Sequence, residues 1–350
     1  MDERIALIAL QRLNGLSRET KKQLIEESNS IAALFAGKAE APNKGIAGKL
    51  RAFDGWKDID RDLIRLEKMG VNVLTLKDED YPLQLRAIPD APVVLYKKGA
   101  FRIGTDTIAV VGSRRATFES LNVAEKISQT LSSLGITVIS GLARGIDAAA
   151  HRGALKEKGK SVGVLGCGID ITYPAENRWL FDRMEEEGMI LTEYGPGIKP
   201  LRHHFPERNR IIAGLSRGAL VVEASQRSGS LITARLALEY GREVMAIPGS
   251  IFDSEYRGAN SLIKQGARLI DGIEDIIATC FPEIEIKEDK QVDLNGNESY
   301  IYSIIGFEKV HVDEIIDKSH MDAKSVMAIL TSLEMKEAVR AIPGGFFLRK

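Results

Sequence analysis

The side chains best placed to do chemistry in this chain of 350 residues are arginines and small polar residues gathered in short loops. Gly112-Ser113-Arg114-Arg115 follows an apolar run, and so does Ser140-Gly141-Leu142-Ala143-Arg144-Gly145-Ile146-Asp147. Ala224-Ser225-Gln226-Arg227-Ser228-Gly229-Ser230 and Pro248-Gly249-Ser250 repeat the composition after two further apolar runs. Small residues let a backbone approach an anion closely, N–H groups at a helix start face it, and arginine forks grip phosphate bidentately. One such loop alone is as readily a tight strand-to-helix turn. Four at corresponding ends describe one continuous anion site.

The densest positive segment is Arg202-His203-His204-Phe205-Pro206-Glu207-Arg208-Asn209-Arg210-Ile211-Ile212-Ala213-Gly214-Leu215-Ser216-Arg217, with four arginines against one glutamate. If 207–215 is helical, Arg208 shares a stripe with Ile211, Ile212 and Leu215, and Arg210 sits beside it, so not every arginine can be solvated. Each either meets a ligand or pairs with a buried acid, for which Glu193 and Glu223 are candidates. Phe205 is either a staple packing the turn or a platform for a base.

Loops of this kind need a scaffold, and the chain supplies one. β-branched runs over 108–111, 138–140, 162–165, 189–191, 220–222 and 244–247 alternate with amphipathic segments. Continuous apolar strands interleaved with helices predict an α/β fold with an extended Rossmann-like parallel sheet, in which ligands lie beyond the carboxyl ends of the strands. Helical periodicity over 3–66 predicts a small N-terminal domain. Its Leu13-Asn14-Gly15-Leu16 turn is either a plain αα-corner or a helix-hairpin-helix turn offering N–H groups to a phosphate. The runs 71–76 and 93–96 read as an edge or linker region. Residues 283–297 are rich in acids and predict a solvated linker. Helical patterns over 299–305, 312–318 and 323–333, then a hairpin turning at Gly344-Gly345, suggest a winged helix. The expected domains are therefore 1–69, 70–282 and 298–350, with 283–297 between the last two.

Composition narrows the partners. Apolar residues make up 44% and charged residues 28%, enough to bury substantial cores. Forty-eight Lys and Arg against 49 Asp and Glu exclude a globally basic, DNA-coating protein. Cys167 and Cys280 are the two cysteines, too few for a disulfide scaffold, and a reducing cytoplasm fits them. The first twenty residues do not read as a signal peptide, and no uncharged run reaches the roughly 18 residues of a membrane span.

Enzymatic motifs fail on spacing. Gly153 to Ser161 resembles a P-loop with one residue too many, and it precedes a strand. No G-x-G-x-x-G opens the first helix of the sheet, and no G-x-S-x-G elbow occurs. Adjacent His203 and His204 seldom aim at one ion, so neither a metal nor another cofactor is expected.

Taken together these segments resemble the DprA/Smf family of bacterial DNA-processing proteins. The likeness runs through Tyr81-Pro82, Ala91-Pro92-Val93-Val94-Leu95-Tyr96, Gly112-Ser113-Arg114, the 140–147 loop, Tyr173-Pro174-Ala175-Glu176-Asn177, Phe205-Pro206-Glu207-Arg208-Asn209-Arg210, Ser228-Gly229-Ser230 and Gly258-Ala259-Asn260. The resemblance implies a non-enzymatic protein that binds and protects single-stranded DNA and forms a homodimer through the Rossmann-like domain. It further implies loading of the RecA recombinase during natural transformation or homologous recombination. An N-terminal domain of SAM or helix-hairpin-helix type and a C-terminal winged helix are accessories of the family. Carried onto this chain, Arg114 grips a phosphate with help from N–H groups of Gly112 and Ser113, Arg202 faces the DNA and Phe205 stacks on a base. Arg208 and Asn209 shape the pocket and Ser228, Gly229 and Ser230 line it, with Arg115, Gly141, Arg144 and Arg210 completing the DNA-binding set.

A second class of function is a nucleoside monophosphate phosphoribohydrolase or nucleotide-binding protein, since such enzymes share Gly-rich phosphate loops on a similar sheet. Their P-G-G-x-G-T-x-x-E motif ends in the catalytic acid, where this chain has Leu236. The 323–333 helix lacks the basic face of a major-groove reader, leaving duplex DNA and protein as alternatives. Leu262, Ile263, Leu269, Ile270, Ile273 and Ile276 suggest a dimer patch within 258–277.

Overall fold

The computed structural model describes residues 1–349 apart from 100, 157–159, 285–293, 307, 308 and 337. Most of the expected acidic linker therefore lies outside the described residues. The chain divides into two compact units, Met1–Ile284 and Glu285–Lys350.

The first unit opens with five helices: α1 (Glu3–Arg12), α2 (Arg18–Glu27), α3 (Ile31–Phe35), α4 (Lys44–Arg51) and α5 (Trp56–Lys68). Side-chain caps set the first four starts, as Asp2, Ser17, Ser30 and Asn43 each accept an N–H of the following turn. Ala6, Leu7, Ile8, Ala9 and Leu10 are all buried, making α1 the centre of the bundle. Phe35, Phe53 and Trp56 pack edge to face beside it, their centroids 4.9 to 5.8 Å apart. The turn between α1 and α2 passes through Gly15 at a φ of 76°, and the Gly15 carbonyl accepts the Lys49 amine.

The sheet follows. In chain order come β1 (Asn72–Thr75), α6 (Leu83–Ala87), β2 (Val94–Gly99), β3 (Thr107–Val111), α7 (Phe118–Ser133), β4 (Thr137–Ser140), α8 (Ile146–Ala154) and β5 (Ser161–Val164). Then come α9 (Arg178–Glu186), β6 (Met189–Thr192), α10 (His204–Leu215), β7 (Gly218–Val221), α11 (Ser230–Glu239), β8 (Glu243–Ala246), α12 (Arg257–Lys264), β9 (Arg268–Leu269) and α13 (Ile273–Cys280). The strand order is β1-β2-β6-β5-β4-β3-β7-β8-β9. Strands from β6 across to β9 run parallel, and every residue of β3 to β7 is buried, as helices on both faces require. The segment read from sequence as an edge or linker is an antiparallel extension, with β2 paired to β6 and β1 outermost.

β3 lies between β4 and β7, with Ile108 registered against both Val138 and Gly218. From β3 the chain winds outward through β4, β5 and β6 on one side and through β7, β8 and β9 on the other. That reversal leaves a crevice beyond the carboxyl ends of the central strands, where the Gly, Ser and Arg loops emerge. At the far edge, Ile270 and Ile276 belong to the core while Leu262 and Ile263 pack partly against it, so the apolar excess within 258–277 is largely consumed internally. Leu269 stays exposed on β9, and Leu238 on α11 is 69% exposed.

The second unit contains α14 (Gly296–Ile304), β10 (Val310–His311), α15 (Val312–Ser319), α16 (Ala323–Met335), β11 (Val339–Ile342) and β12 (Phe346–Arg349). Its sheet is ordered β10-β12-β11, and Ile301, Ile315, Val326, Leu330 and Leu333 form a separate core, which makes a winged helix. Glu298 closes a capping box with Asn295 and accepts from Ser332 and Lys336, and the Lys336 bond leads in holding its carboxyl down to about 2. The outer face of α16 carries Lys324, Met327, Ala328, Thr331 and Met335, a nearly uncharged surface. Among the described residues no helix is long and apolar enough to cross a membrane.

Candidate nucleic-acid interface

A cleft of about 610 Å³ opens at the reversal point of the sheet. Its walls come from the loop after β3 (Ser113, Arg114, Arg115), the segment leading into α10 (Arg202, Phe205), and the start of α11 (Ser228, Ser230). Tight packing brings these loops together. Gly145 has a φ of 75°, and a Cβ there would sit 2.1 Å from the Ser113 carbonyl, so only glycine lets the loop after β4 fold over the loop after β3. Ile146 N–H then donates to that carbonyl at 3.2 Å. Leu142 adopts a φ of 55°, unusual for a branched residue, and is held there from both sides. Its N–H donates to His151 Nε2 and its carbonyl accepts Asn177 Nδ2.

The cleft has the electrostatics of an anion site. Arg114, Arg115, Lys199, Arg202 and Arg227 are cations in or beside it that form no ion pair among the described residues, although the Asp147 carboxylate attracts Arg114. Several other arginines of the unit are matched: Arg144 to Glu176, Arg178 to Asp182 and Arg217 to Asp106 and Glu283. α10 and α11 both begin without a side-chain bond from the N-cap residue, whereas α7 is capped by Thr117; the first-turn N–H groups of α11 are met by Ser228 and Gly229 oxygens, so the anion site rests on the cations. The Arg114 guanidinium lies 5.2 Å over the Phe205 ring, and Tyr173 lies 5.4 Å from the same ring at 36°. Two adjoining aromatic faces beside an exposed cation can seat a base and its phosphate together. Among the described residues no cluster of three or more His, Cys, Asp or Glu is arranged to hold a metal ion.

The structure sorts the residues named from sequence. Arg114, Arg115, Arg202, Phe205, Asn209, Ser228, Gly229 and Ser230 converge on the cleft with Gly112 and Ser113. Ser113 N–H is already taken, donating to the Glu223 carbonyl at 2.8 Å, so that part of the expected phosphate cradle is closed. Arg115 N–H in turn donates to Ser113 Oγ, folding the loop on itself. Asn209 Nδ2 reaches the Gly229 carbonyl at 3.4 Å and links α10 to α11.

Gly141, Arg144 and Arg210 do not join them. Gly141 is buried: its N–H donates to Asp147 Oδ2 and its carbonyl accepts Arg208 Nη1 at 2.7 Å, so internal groups occupy the cradle that an external phosphate would need. Arg144 points to solvent against Glu176. Arg210 is 3% exposed and pairs with Glu193 and Asp90 on the opposite side of α10. Glu223, the other candidate acid, takes neither arginine and accepts from Thr117 N–H and hydroxyl.

Arg208 lines the cleft floor as an internal strut, because Nη1 also donates to the Val164 carbonyl and so ties together the loops after β4 and β5. Burial lowers its pKa to about 10, with Asp147 opposing. Burial also raises the Asp147 carboxyl above the usual range against the pull of Arg208. His151 is driven to about 3 by burial and by Arg208, so it is neutral and accepts from Leu142 N–H through Nε2. Its Nδ1 then donates to Ser161 Oγ at 2.7 Å. Tyr173, 42% exposed beside Phe205, has no role assigned by the sequence. The signal available for it is an exposed aromatic in a segment following a parallel strand.

Comparison with known proteins bears on this geometry. Residues 72–281 match the family model described as DNA recombination-mediator protein A, and residues 286–345 match the DprA winged helix domain. DNA processing protein DprA of Streptococcus pneumoniae is 47% identical over 205 residues, 58% of this chain and 72% of that protein. Protein Smf of Escherichia coli is 37% identical over 301 residues, 83% of this chain and 80% of that protein. The solved structure of the Streptococcus pneumoniae protein aligns with a TM-score of 0.65 at 36% identity, covering 81% of this chain and 98% of that one. A structure concerned with the single-stranded DNA binding mode of DNA processing protein A from Helicobacter pylori aligns at 0.56 with 28% identity, covering 61% and 97%.

Proposed function

The chain belongs to the DprA/Smf family of DNA recombination-mediator proteins, and on that premise we propose that its cleft binds single-stranded DNA. The observation that carries this reading is a cleft lined by Arg114, Arg115 and Arg202, which form no ion pair among the described residues, together with the Phe205 and Tyr173 rings, with Arg114 over Phe205. Phosphates of one strand would lie along the cations, while a base rests on the aromatic pair. Stacking is indifferent to base identity and the cations read only phosphate, so binding is sequence-tolerant and salt-dependent. The test is fluorescence anisotropy of a labelled oligo-dT across a salt series. A steep fall in affinity with salt is expected, and affinity indifferent to salt would refute the reading.

The same proposal extends to partners. By the family premise the protein protects single strands and hands them to the RecA recombinase, acting as a binding protein rather than an enzyme. RecA-driven strand exchange that gains nothing from added protein would remove that part. Homodimerisation through the Rossmann-like domain is supported by exposed Leu238 on α11 and Leu269 on β9, and a sedimentation velocity run showing monomer alone at micromolar concentration would count against it. Free, buried Cys167 and Cys280 suit a reducing cytoplasm. The phosphoribohydrolase alternative is weakened by Leu236, which packs partly against the core where the acid would stand, and release of adenine from AMP would restore it.

A further inference from the structure

The helix that carries Phe205 and Asn209 into the cleft is gripped on another side by the N-terminal bundle. Arg18, the first residue of α2, reaches Glu207 at 2.6 Å and Glu193 at 3.5 Å. Glu193 is also the partner of buried Arg210, so the two arginines bracket one carboxylate. Tyr194 donates to Glu207 at 3.2 Å while its ring stacks 4.2 Å from that of His204. Gln11 of α1 clamps the same strand end, donating to the Glu193 carbonyl at 2.8 Å and to that of Val94 at 3.1 Å. Burial works against Arg18, yet Glu193 and Glu207 hold its pKa above the ordinary value.

This tether acts where α10 is weakest. Its first turn has no side-chain cap: His204 N–H donates to the Leu201 carbonyl at 3.0 Å, Pro206 has no N–H, and the bond from Glu207 N–H to the His203 carbonyl is long at 3.4 Å. An uncapped first turn frays unless something outside the helix fixes it. Phe205 lies in that turn, two residues before Glu207. On the core side Arg208 holds the helix through the Gly141 and Val164 carbonyls, and on the bundle side Glu207 is held by Arg18 and Tyr194.

We propose that Arg18 is a positioning residue for strand binding: without touching DNA, it holds Glu207 and so fixes the first turn of α10 with Phe205 on the cleft wall beneath Arg114. The proposal rests on the reading of the cleft as a single-stranded DNA site. It makes the N-terminal bundle part of the binding apparatus at a distance. An isolated exposed pair would contribute little. Here the pair sets the conformation of an uncapped turn, and its effect shows in positioning.

The test uses Arg18→Ala and, separately, Glu207→Ala in the full chain, read in two ways. Without DNA, hydrogen exchange of the His204, Phe205, Glu207 and Arg208 amides should accelerate in both variants while exchange in β3 to β7 is unchanged. With oligo-dT, the Kd should rise roughly 2- to 5-fold, the scale of an exposed ion pair, with the slope of log affinity against log salt unaltered. A direct phosphate contact by Arg18 would instead lower that slope by about 0.7 and overturn the proposal, as would unchanged exchange at 204–208 in both variants. If Arg18→Ala does not fold, Glu207→Ala, at a partly exposed site, decides. If the unaltered chain fails to bind oligo-dT, the DNA reading falls by itself, and the exchange result still settles whether Arg18 positions α10.

Discussion

Arg114→Ala and Arg210→Ala remove the same charge from neighbouring parts of one sequence-defined site, and they should fail in opposite ways. Arg114 is exposed, forms no ion pair among the described residues and covers the Phe205 ring. A charge-assisted hydrogen bond is worth about 1.5 to 3 kcal/mol, and exposure places this one near the lower end. The Kd for oligo-dT should therefore rise about tenfold, and the salt slope should fall by about 0.7 because one phosphate is no longer neutralised. Folding stability should stay within about 0.5 kcal/mol, as for other surface substitutions. Arg210 is 3% exposed against Glu193 and Asp90. Its removal strands Glu193 in the interior, which costs about 3 to 5 kcal/mol when a buried pair is broken. Arg18 remains 3.5 Å from Glu193 and moderates the penalty, so about 3 kcal/mol is the working figure. That corresponds to a melting temperature lower by roughly 6 to 12 °C, with the salt slope of the folded protein unchanged. Anisotropy between about 50 and about 300 mM salt and thermal melts of both variants separate the cases. A reduced slope with normal melting for Arg210→Ala, or a lowered melting temperature with a normal slope for Arg114→Ala, would refute the sorting of these two side chains.

The cleft wall and its supports can be probed separately. Tyr173→Ala should weaken oligo-dT binding by about 1 kcal/mol or more, the lower end for removal of one stacking face, while Tyr173→Phe keeps the ring and should bind normally; equal weakening in both would mean the hydroxyl matters and the ring does not. His151 is buried neutral with its pKa down at about 3, below the roughly 6.5 of an unfolded histidine. Its contribution is therefore complete above about pH 6.5 and is lost as pH falls toward about 3, with a limiting slope of about 1.4 kcal/mol per pH unit. Denaturant titrations from about pH 7 down to about pH 4 should show that decline, and His151→Gln should flatten it; an unaltered profile in the variant would place the acid sensitivity elsewhere.

Strands, helices and the location of the cleft were legible because they depend on features that a linear sequence records directly. Apolar runs such as Thr107–Val111 can only be strands buried on both faces, and six of them alternating with amphipathic segments leave few topologies. Once the sheet is parallel, the loops after β3 and β7 must face one crevice, which is why Arg114, Phe205 and Ser228 could be grouped without coordinates. The short β9 carries no such signal, since Arg268 and Leu269 pair through the backbone of β8 alone.

What sequence could not separate is an anion outside the protein from an anion inside it. A glycine loop followed by a helix start welcomes either, and Gly141 meets the Asp147 carboxylate from only six positions along the chain. Arginine forks are equally indifferent. Arg208 satisfies the main-chain carbonyls of Gly141 and Val164, and Arg210 satisfies Glu193, across separations of 67, 44 and 17 residues that no local pattern encodes. Alternation along α10 then carries a physical meaning. Arg208 and Arg210 face opposite walls, one bracing the cleft floor and the other pairing with Glu193 and Asp90, and between them Asn209 reaches the Gly229 carbonyl just ahead of α11. With both arginines committed to the interior, the proposed DNA site draws its charge from side chains that form no ion pair among the described residues, Arg114, Arg115 and Arg202 in the cleft and Arg227 beside Ser228. On the proposed reading, a near-neutral chain can therefore hold a polyanion through a handful of unpaired cations, while Arg208 braces the floor beneath them.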